Sequence, residues 1–239
     1  MPHAEARSGM PADWAWRAGC EVAPAPERTA TFTPMGFERE YAYPLIVWLH
    51  GAGADESSLP EVMRHVSLRN FIAVAPCGRF NLSAGAVETD CWEQTDEAID
   101  AAEEVVADAI EAARSRFCLH PKRVFLAGVG VGGTMAMRVA LRQPGWFGGA
   151  ATLDGPLPRH GRLLCRVNES RRLPLLLSAC RDSPAYPERR VGSDLALLHS
   201  AGCRVGVRQY PGADDLTTAM LADLNRWAME IVCGAATRA

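Results

Sequence analysis

The stretch Arg123-Val-Phe-Leu-Ala-Gly-Val-Gly-Val-Gly-Gly-Thr134 constrains the fold of this chain more than any other. A β-branched and aromatic run (Val124, Phe125, Leu126) ends abruptly at Gly128. A helical pattern then starts, carried by Met135, Val139 and Ala140, and continues to about Gln143, where Pro144 and Gly145 stop it. Strand, sharp glycine turn, helix is the reading. A short apolar strand feeding directly into a helix belongs to a sheet whose strands are covered on both faces.

The rest of the chain repeats that grammar. Residues 45–50 (Leu-Ile-Val-Trp-Leu-His) and 71–75 (Phe-Ile-Ala-Val-Ala) are continuous apolar runs, the first ending at Gly51-Ala-Gly53 and the second at Pro76. Residues 148–154, 174–180 and 204–210 read as further strands, and residues 29–34 as an edge strand. Helices are expected over 57–70, with Leu59, Met63, Val66 and Leu68 on one face, and over 95–117, with Thr95 as N-cap. Two more are expected over 189–201 and 216–232. Residues 77–94 and the arginine-rich 155–172 read as loops. The fold class is therefore α/β: one domain over 27–239, a mostly parallel sheet with helices on both faces. Residues 1–26, rich in Ala, Pro and Arg, read as a poorly ordered arm.

Composition narrows the function classes. A chain of 239 residues can bury a large core without staples. A net charge of −3 argues against a nucleic-acid partner, which would need a clustered basic face. No apolar run approaches the roughly 20 residues of a membrane span, and the N-terminus lacks the pattern of a secretory signal. The eight cysteines are scattered, without a C-x-x-C pair or a histidine at ligand spacing. They read as reduced structural residues of a cytoplasmic protein, with no metal and no cofactor expected.

Taken in order, several motifs resemble the phospholipase/carboxylesterase branch of the α/β hydrolases, which includes the acyl-protein thioesterases. His50-Gly-Ala-Gly53 is similar to that family's oxyanion strand, and "RVFLAGVGVGGTMAM" (residues 123–137) to its nucleophile elbow, G-x-S-x-G. Residues 174–187 resemble the strand and loop that deliver the acid, which puts Asp182 in that role. Residues 209–217 (Gln-Tyr-Pro-Gly-Ala-Asp-Asp-Leu-Thr) resemble the segment that carries the histidine, with Asp214 at its position. The resemblance covers about residues 40–233 and implies a compact, nearly lidless α/β hydrolase.

It also implies that the reactive groups are gone. A serine hydrolase needs a nucleophilic oxygen, a base to take its proton and a group to orient that base. Here the apex is Gly130 and the base position is Asp214. Thr134 lies a helical turn beyond the apex, Ser57 and Ser58 read as helix caps, and His50 fits a structural role. His65 and His199 fall in helices, His120 and His160 in loops, and His3 in the arm. The triad positions Gly130, Asp182 and Asp214 are thus vestigial.

What the resemblance retains is the pair of backbone donors of the oxyanion hole, which map to Ala52 and Val131 and need no particular side chain. Trp92 falls in the loop that lines the family's pocket, where pocket lining and plain loop packing are both open. Three readings of Asp214 stay open: a solvent-facing cap of the last helix, a carboxylate that shares a cationic or hydroxyl-bearing ligand with Asp182, or half of an acid/base dyad. The acids Glu88, Asp90, Glu93, Asp96 and Glu97 read as a solvated helix start. The expectation is a pseudo-hydrolase that binds a small molecule or a protein partner. The alternative is a non-standard hydrolase or lyase using Asp182, Asp214 and the oxyanion hole. A homo-oligomer stays open.

Overall fold

The computed structural model describes residues 29–78, 92–159, 163–213 and 216–236. Two kinds of apolar alternation build one sheet between two helical layers. In β2 (Tyr43–Leu49), Leu45, Val47 and Leu49 face one layer while Ile46 and Trp48 face the other. The alternation recurs in β3 (Ile72–Pro76), β4 (Leu119–Val129), β5 (Gly149–Leu153) and β6 (Pro174–Cys180). Strands buried on both faces read as continuous apolar runs for this reason. The alternate side chains of one run belong to two separate cores.

Seven strands lie in the order β1-β3-β2-β4-β5-β6-β7, with β1 (Thr29–Phe32) at one edge and β7 (Arg204–Tyr210) at the other. Only the pairing of β1 with β3 is antiparallel. Helices α1 (Leu59–Val66) and α6 (Thr218–Ala236) cover one face. Helices α2 (Asp96–Arg116) and α3 (Val131–Arg142) cover the other, joined by Leu198 of α5 (Glu188–Ser200). A short α4 (Val167–Ser170) interrupts the segment expected to be loop. The α/β expectation holds, as a single domain. The arm over residues 1–26 lies outside the described residues.

Some local expectations need correcting. The first helix stops at Val66 because Ser67 adopts an extended conformation, leaving Leu68 exposed rather than on the apolar stripe. Neither Ser57 nor Ser58 caps that helix through its side chain. Asp55 takes the role one turn earlier: its carboxylate accepts from the Ser57 N–H at 2.9 Å and from the Ser57 hydroxyl at 2.5 Å. His120 is not in a loop but in the irregular start of β4, where the register against β2 shifts between Tyr43 and Leu45. Thr95 does cap α2, accepting from the Ala98 N–H at 3.2 Å.

The sheet order places a topological switch between β2 and β4. From β2 the chain moves outward to β3 on one side, then returns to β4 on the other. Crevices for ligands open at the carboxyl ends of strands at such a switch. At that edge the start of α3 is pressed onto the end of β2. A Cβ on Gly132 would lie 2.3 Å from the His50 carbonyl oxygen and 2.4 Å from that of Leu49. From the strand side, a Cβ on Gly128 would lie 2.6 Å from the Gly132 backbone. Gly130 differs: its φ is 54° and ψ −121°, yet a Cβ there meets nothing within 4 Å.

Two alanine variants separate these roles. Gly132→Ala forces backbone against backbone and should cost about 3 kcal/mol, the upper end for overpacking. Gly130→Ala has room and carries only the strain of its positive φ, about 1 kcal/mol. Urea denaturation of the two variants should order them so, with Gly130→Ala close to the parent.

Candidate active site at the carboxyl edge of the sheet

The site begins where β4 ends. Gly130 turns the chain sharply between Val129 and Val131, its N–H bonded to the Leu153 carbonyl at 2.9 Å and its own carbonyl accepting from the Thr134 N–H at 2.9 Å. The helix α3 that follows has no side-chain cap, so its first N–H groups face outward with the positive end of the helix dipole. Val131 supplies the first of them. Its amide and that of Ala52 find no acceptor among the described residues. The contact of Gly132 with the carbonyls of Leu49 and His50 brings these two backbone segments together. Ala52 is exposed and Val131 half-buried. The arrangement can accept an oxygen with partial or full negative charge.

His50 forms the floor beside this cradle. It is fully buried, and its Nε2 accepts from the Gly78 N–H at 3.2 Å. Its Nδ1 lies 3.2 Å from the Gly51 carbonyl, so the bonding pattern assigns the proton to Nδ1 in a neutral ring. Trp92 stands behind it, with ring centroids 5.6 Å apart and only 1 % of Trp92 exposed. A Cβ on Gly78 would lie 2.4 Å from the indole, so the tryptophan packs flat against that backbone. It holds this place with a φ of 66°, uncommon for a bulky residue. Trp92 thus forms part of the wall that supports His50.

The other described histidines lie elsewhere: His65 pairs with Glu61 within α1, His120 accepts from the Lys122 N–H, and His199 sits in the last turn of α5. The hydroxyl of Thr134 is committed to the Pro156 carbonyl at 2.8 Å.

Asp182 is exposed in the loop after β6. Its N–H donates to the Gly212 carbonyl at 2.9 Å, and that of Arg181 to the Tyr210 carbonyl at 2.8 Å. The loop carrying Asp182 is therefore laced to the segment leading to residue 214. Asp214 itself, with Asp215, His160, Arg162, Glu88 and Asp90, lies outside the described residues.

Two carboxylates that the sequence reading did not single out organise this edge. Asp154, 1 % exposed and at φ 52°, follows β5 directly. It accepts from the Cys180 N–H at 2.9 Å and from the Ser183 hydroxyl at 2.5 Å, while its own N–H donates to Ser178. It fixes the start of the Asp182 loop onto the end of β5. Asp194, also 1 % exposed, accepts from the Leu157 N–H at 2.9 Å. Arg159 Nη2 stands 3.2 Å, and Arg190 Nε 3.3 Å, from its second oxygen. Burial first, and Asp194 second, push the phenol of fully buried Tyr186 well above its ordinary range. Asp194 was legible in principle: Val191, Asp194 and Leu198 share the buried stripe of α5, an odd place for an acid without partners. Asp154 had no such signal, because a residue closing a strand is not distinguished by periodicity.

Similarity to known proteins covers most of the chain. The family model for phospholipase/carboxylesterase matches residues 37–227. A putative esterase, NocK, from Nocardia uniformis subsp. tsuyamanensis is 34% identical over 122 residues, 48% of this chain and 33% of that protein. The chain thus matches about one third of that relative's length. Among solved structures, the Bacillus cereus carboxylesterase superposes with a TM-score of 0.64 at 14% identity, covering 85% of this chain and 94% of that one. A phospholipase/carboxylesterase from Dyadobacter fermentans DSM 18053 gives 0.64 at 16%, with coverages of 87% and 100%. YahD, solved with malic acid, gives 0.65 at 18%, with coverages of 85% and 98%. At such identities these structures speak for the shared fold. With the family match spanning most of its length, the chain belongs to the phospholipase/carboxylesterase family of α/β hydrolases.

Proposed function

We propose that this chain is a catalytically degenerate member of its family, a pseudo-hydrolase that binds a small molecule or a protein partner at the old active site. One observation carries the reading. The elbow keeps its backbone form at Gly130, with φ 54° and open space where a side chain would project, yet the residue offers no nucleophile. An acyl intermediate needs an atom there to form on. The backbone donors at Ala52 and Val131 need no side chain, and an oxyanion hole with substrate binding still gives acceleration on the order of 10³ over water without a triad. The reading therefore makes the site a binder of carbonyl or carboxylate oxygens. The names of the esterase and carboxylesterase relatives describe those proteins and supply ancestry here. The scattered cysteines support a cytoplasmic location.

A second reading has its own observation. The loop of Asp182 is hydrogen-bonded to Gly212, two residues before Asp214. Two carboxylates close together share a proton or bridge through a cation, because both cannot ionise freely at short range. That would make an acid/base dyad for a non-standard hydrolase or lyase reaction.

A serine-directed fluorophosphonate probe should leave the native protein unlabelled, and specific labelling at one site would end the pseudo-hydrolase reading. The double variant Gly130→Ser, Asp214→His should gain esterase activity on short p-nitrophenyl esters, by at least about 10²-fold over the parent. A folded double variant without any gain would show that the pocket has closed. Under the dyad reading, the parent would instead show a pH-dependent turnover that Asp182→Asn abolishes.

A further inference from the structure

The loops after β5 and β6 enclose a cleft of ≈ 580 Å³ beside the elbow. Pro156 and Arg159 after β5, Pro184, Ala185 and Pro187 after β6, and Arg189 and Arg190 of α5 line it. Its neighbourhood with Gly130 is direct. The backbone at Gly155 packs so closely that a Cβ there would lie 2.3 Å from the Gly130 carbonyl oxygen. Pro156, which lines the cleft, accepts the Thr134 hydroxyl of α3.

The chemistry of the lining is cationic and held in place. Buried Asp194 anchors Arg159 and Arg190, which are further tied to the Ser193 hydroxyl and the Leu157 carbonyl. Hydrogen bonds occupy Nη2 of Arg159 and Nη2 of Arg190, and the buried Nε of Arg190 faces Asp194 within ion-pair range only, together a minority of the ten N–H donors the two forks carry. The side chains remain 43% and 26% exposed, so the free donors are open to a ligand. Arg189 is exposed and has no ion pair or hydrogen bond among the described residues. Three guanidinium charges against the single carboxylate of Asp194 leave the lining with two uncompensated positive charges. Glu188, the next residue on α5, is exposed and is not part of the lining. The helix adds to the same sign: α5 is 13 residues long, starts after Pro187 with no side-chain cap, and Pro187 lines the cleft.

A guanidinium pre-oriented by a buried carboxylate loses little freedom when it grips a planar anion, and its fork matches a carboxylate or phosphate edge. We propose that this cleft is an anion-recognition site, taking the carboxylate or phosphate group of a small acidic molecule. Arg159 and Arg190 grip the anion, Asp194 positions them, and Arg189 supplies the third charge from the rim. The site does not depend on the chemistry of Gly130, so it stands apart from the pseudo-hydrolase reading.

The test is calorimetric titration of the full chain at low ionic strength with succinate, inorganic phosphate and dimethyl succinate. Saturable binding of succinate or phosphate that weakens as salt is added is the expected result. A preference for succinate identifies a carboxylate ligand, and a preference for phosphate a phosphorylated one. Arg189→Gln, which breaks no described contact, should weaken the favoured anion by about tenfold with an unchanged Tm. Arg159→Lys keeps the charge beside Asp194 while removing the planar fork, and should weaken binding by a similar factor in a folded protein. Absence of saturable binding by the parent would overturn the proposal. So would equal binding of the neutral diester, or parental affinity in both variants.

Discussion

The carboxyl edge of this sheet depends on one steric contact, the backbone of Gly132 laid against the carbonyl oxygens of Leu49 and His50. No side chain fits between them, so the first turn of α3 is locked to the end of β2 at main-chain distance. The three spaced glycines of the elbow then have two different explanations. Gly128 and Gly132 are required by close approach, whereas Gly130 meets no neighbour and is suited to its position by a positive φ. The apex therefore tolerates chemical change that the flanking positions do not. A nucleophile can be lost there without the cradle collapsing.

Around that contact, two buried carboxylates do the work of fixing loops. Burying an acid is costly unless its charge finds donors. Asp154 finds them in the Cys180 N–H and the Ser183 hydroxyl; Asp194 finds one in the Leu157 N–H, while its other oxygen is met by the charges of two guanidinium groups without a hydrogen bond. Because each acid draws its donors from a different segment, satisfying it ties those segments together. Asp154 joins the ends of β5 and β6; Asp194 joins the loop after β5 to α5. The walls of the site are thus held by ion pairs and hydrogen bonds in which the loss of one partner would leave a buried charge at its full cost.

Much of this was legible in the sequence because it follows from periodicity. Runs such as 45–50 and 71–75 are strands buried on both faces, and the Thr95 cap is recognisable from its place before an apolar stripe. The departures have local causes. Leu68 looked like another stripe residue, but Ser67 breaks the helix before it. Ser57 and Ser58 have the right chemistry for caps, yet Asp55 is placed one turn earlier to use the carboxylate instead. Arg190 stands four residues before Asp194 on α5, a helical spacing, but the partners of Asp154 and the Leu157 N–H on Asp194 are 26 to 37 residues away, and no periodic signal pairs them. Only the fold brings Leu157 and Arg159 against the acid within α5.

The described edge of the sheet gathers several donors. It presents the amides of Ala52 and Val131, the uncapped start of α3, the uncapped start of α5 and the forks of Arg159 and Arg190. The one imidazole beside them, His50, has both ring nitrogens committed to the backbone. A hydrolase at such an edge must hold charge and also move protons, and the second task needs an acceptor that can take one. Backbone donors alone stabilise a developing oxyanion, but without a group that takes up a proton the acceleration stays on the order of 10³. On the pseudo-hydrolase reading, an edge built this way holds an anion without turning it over. The proposed loss of a nucleophile at Gly130 and the arginine-lined cleft beside it are separate features, yet the backbone amides and the guanidinium forks would share one task, holding an anion.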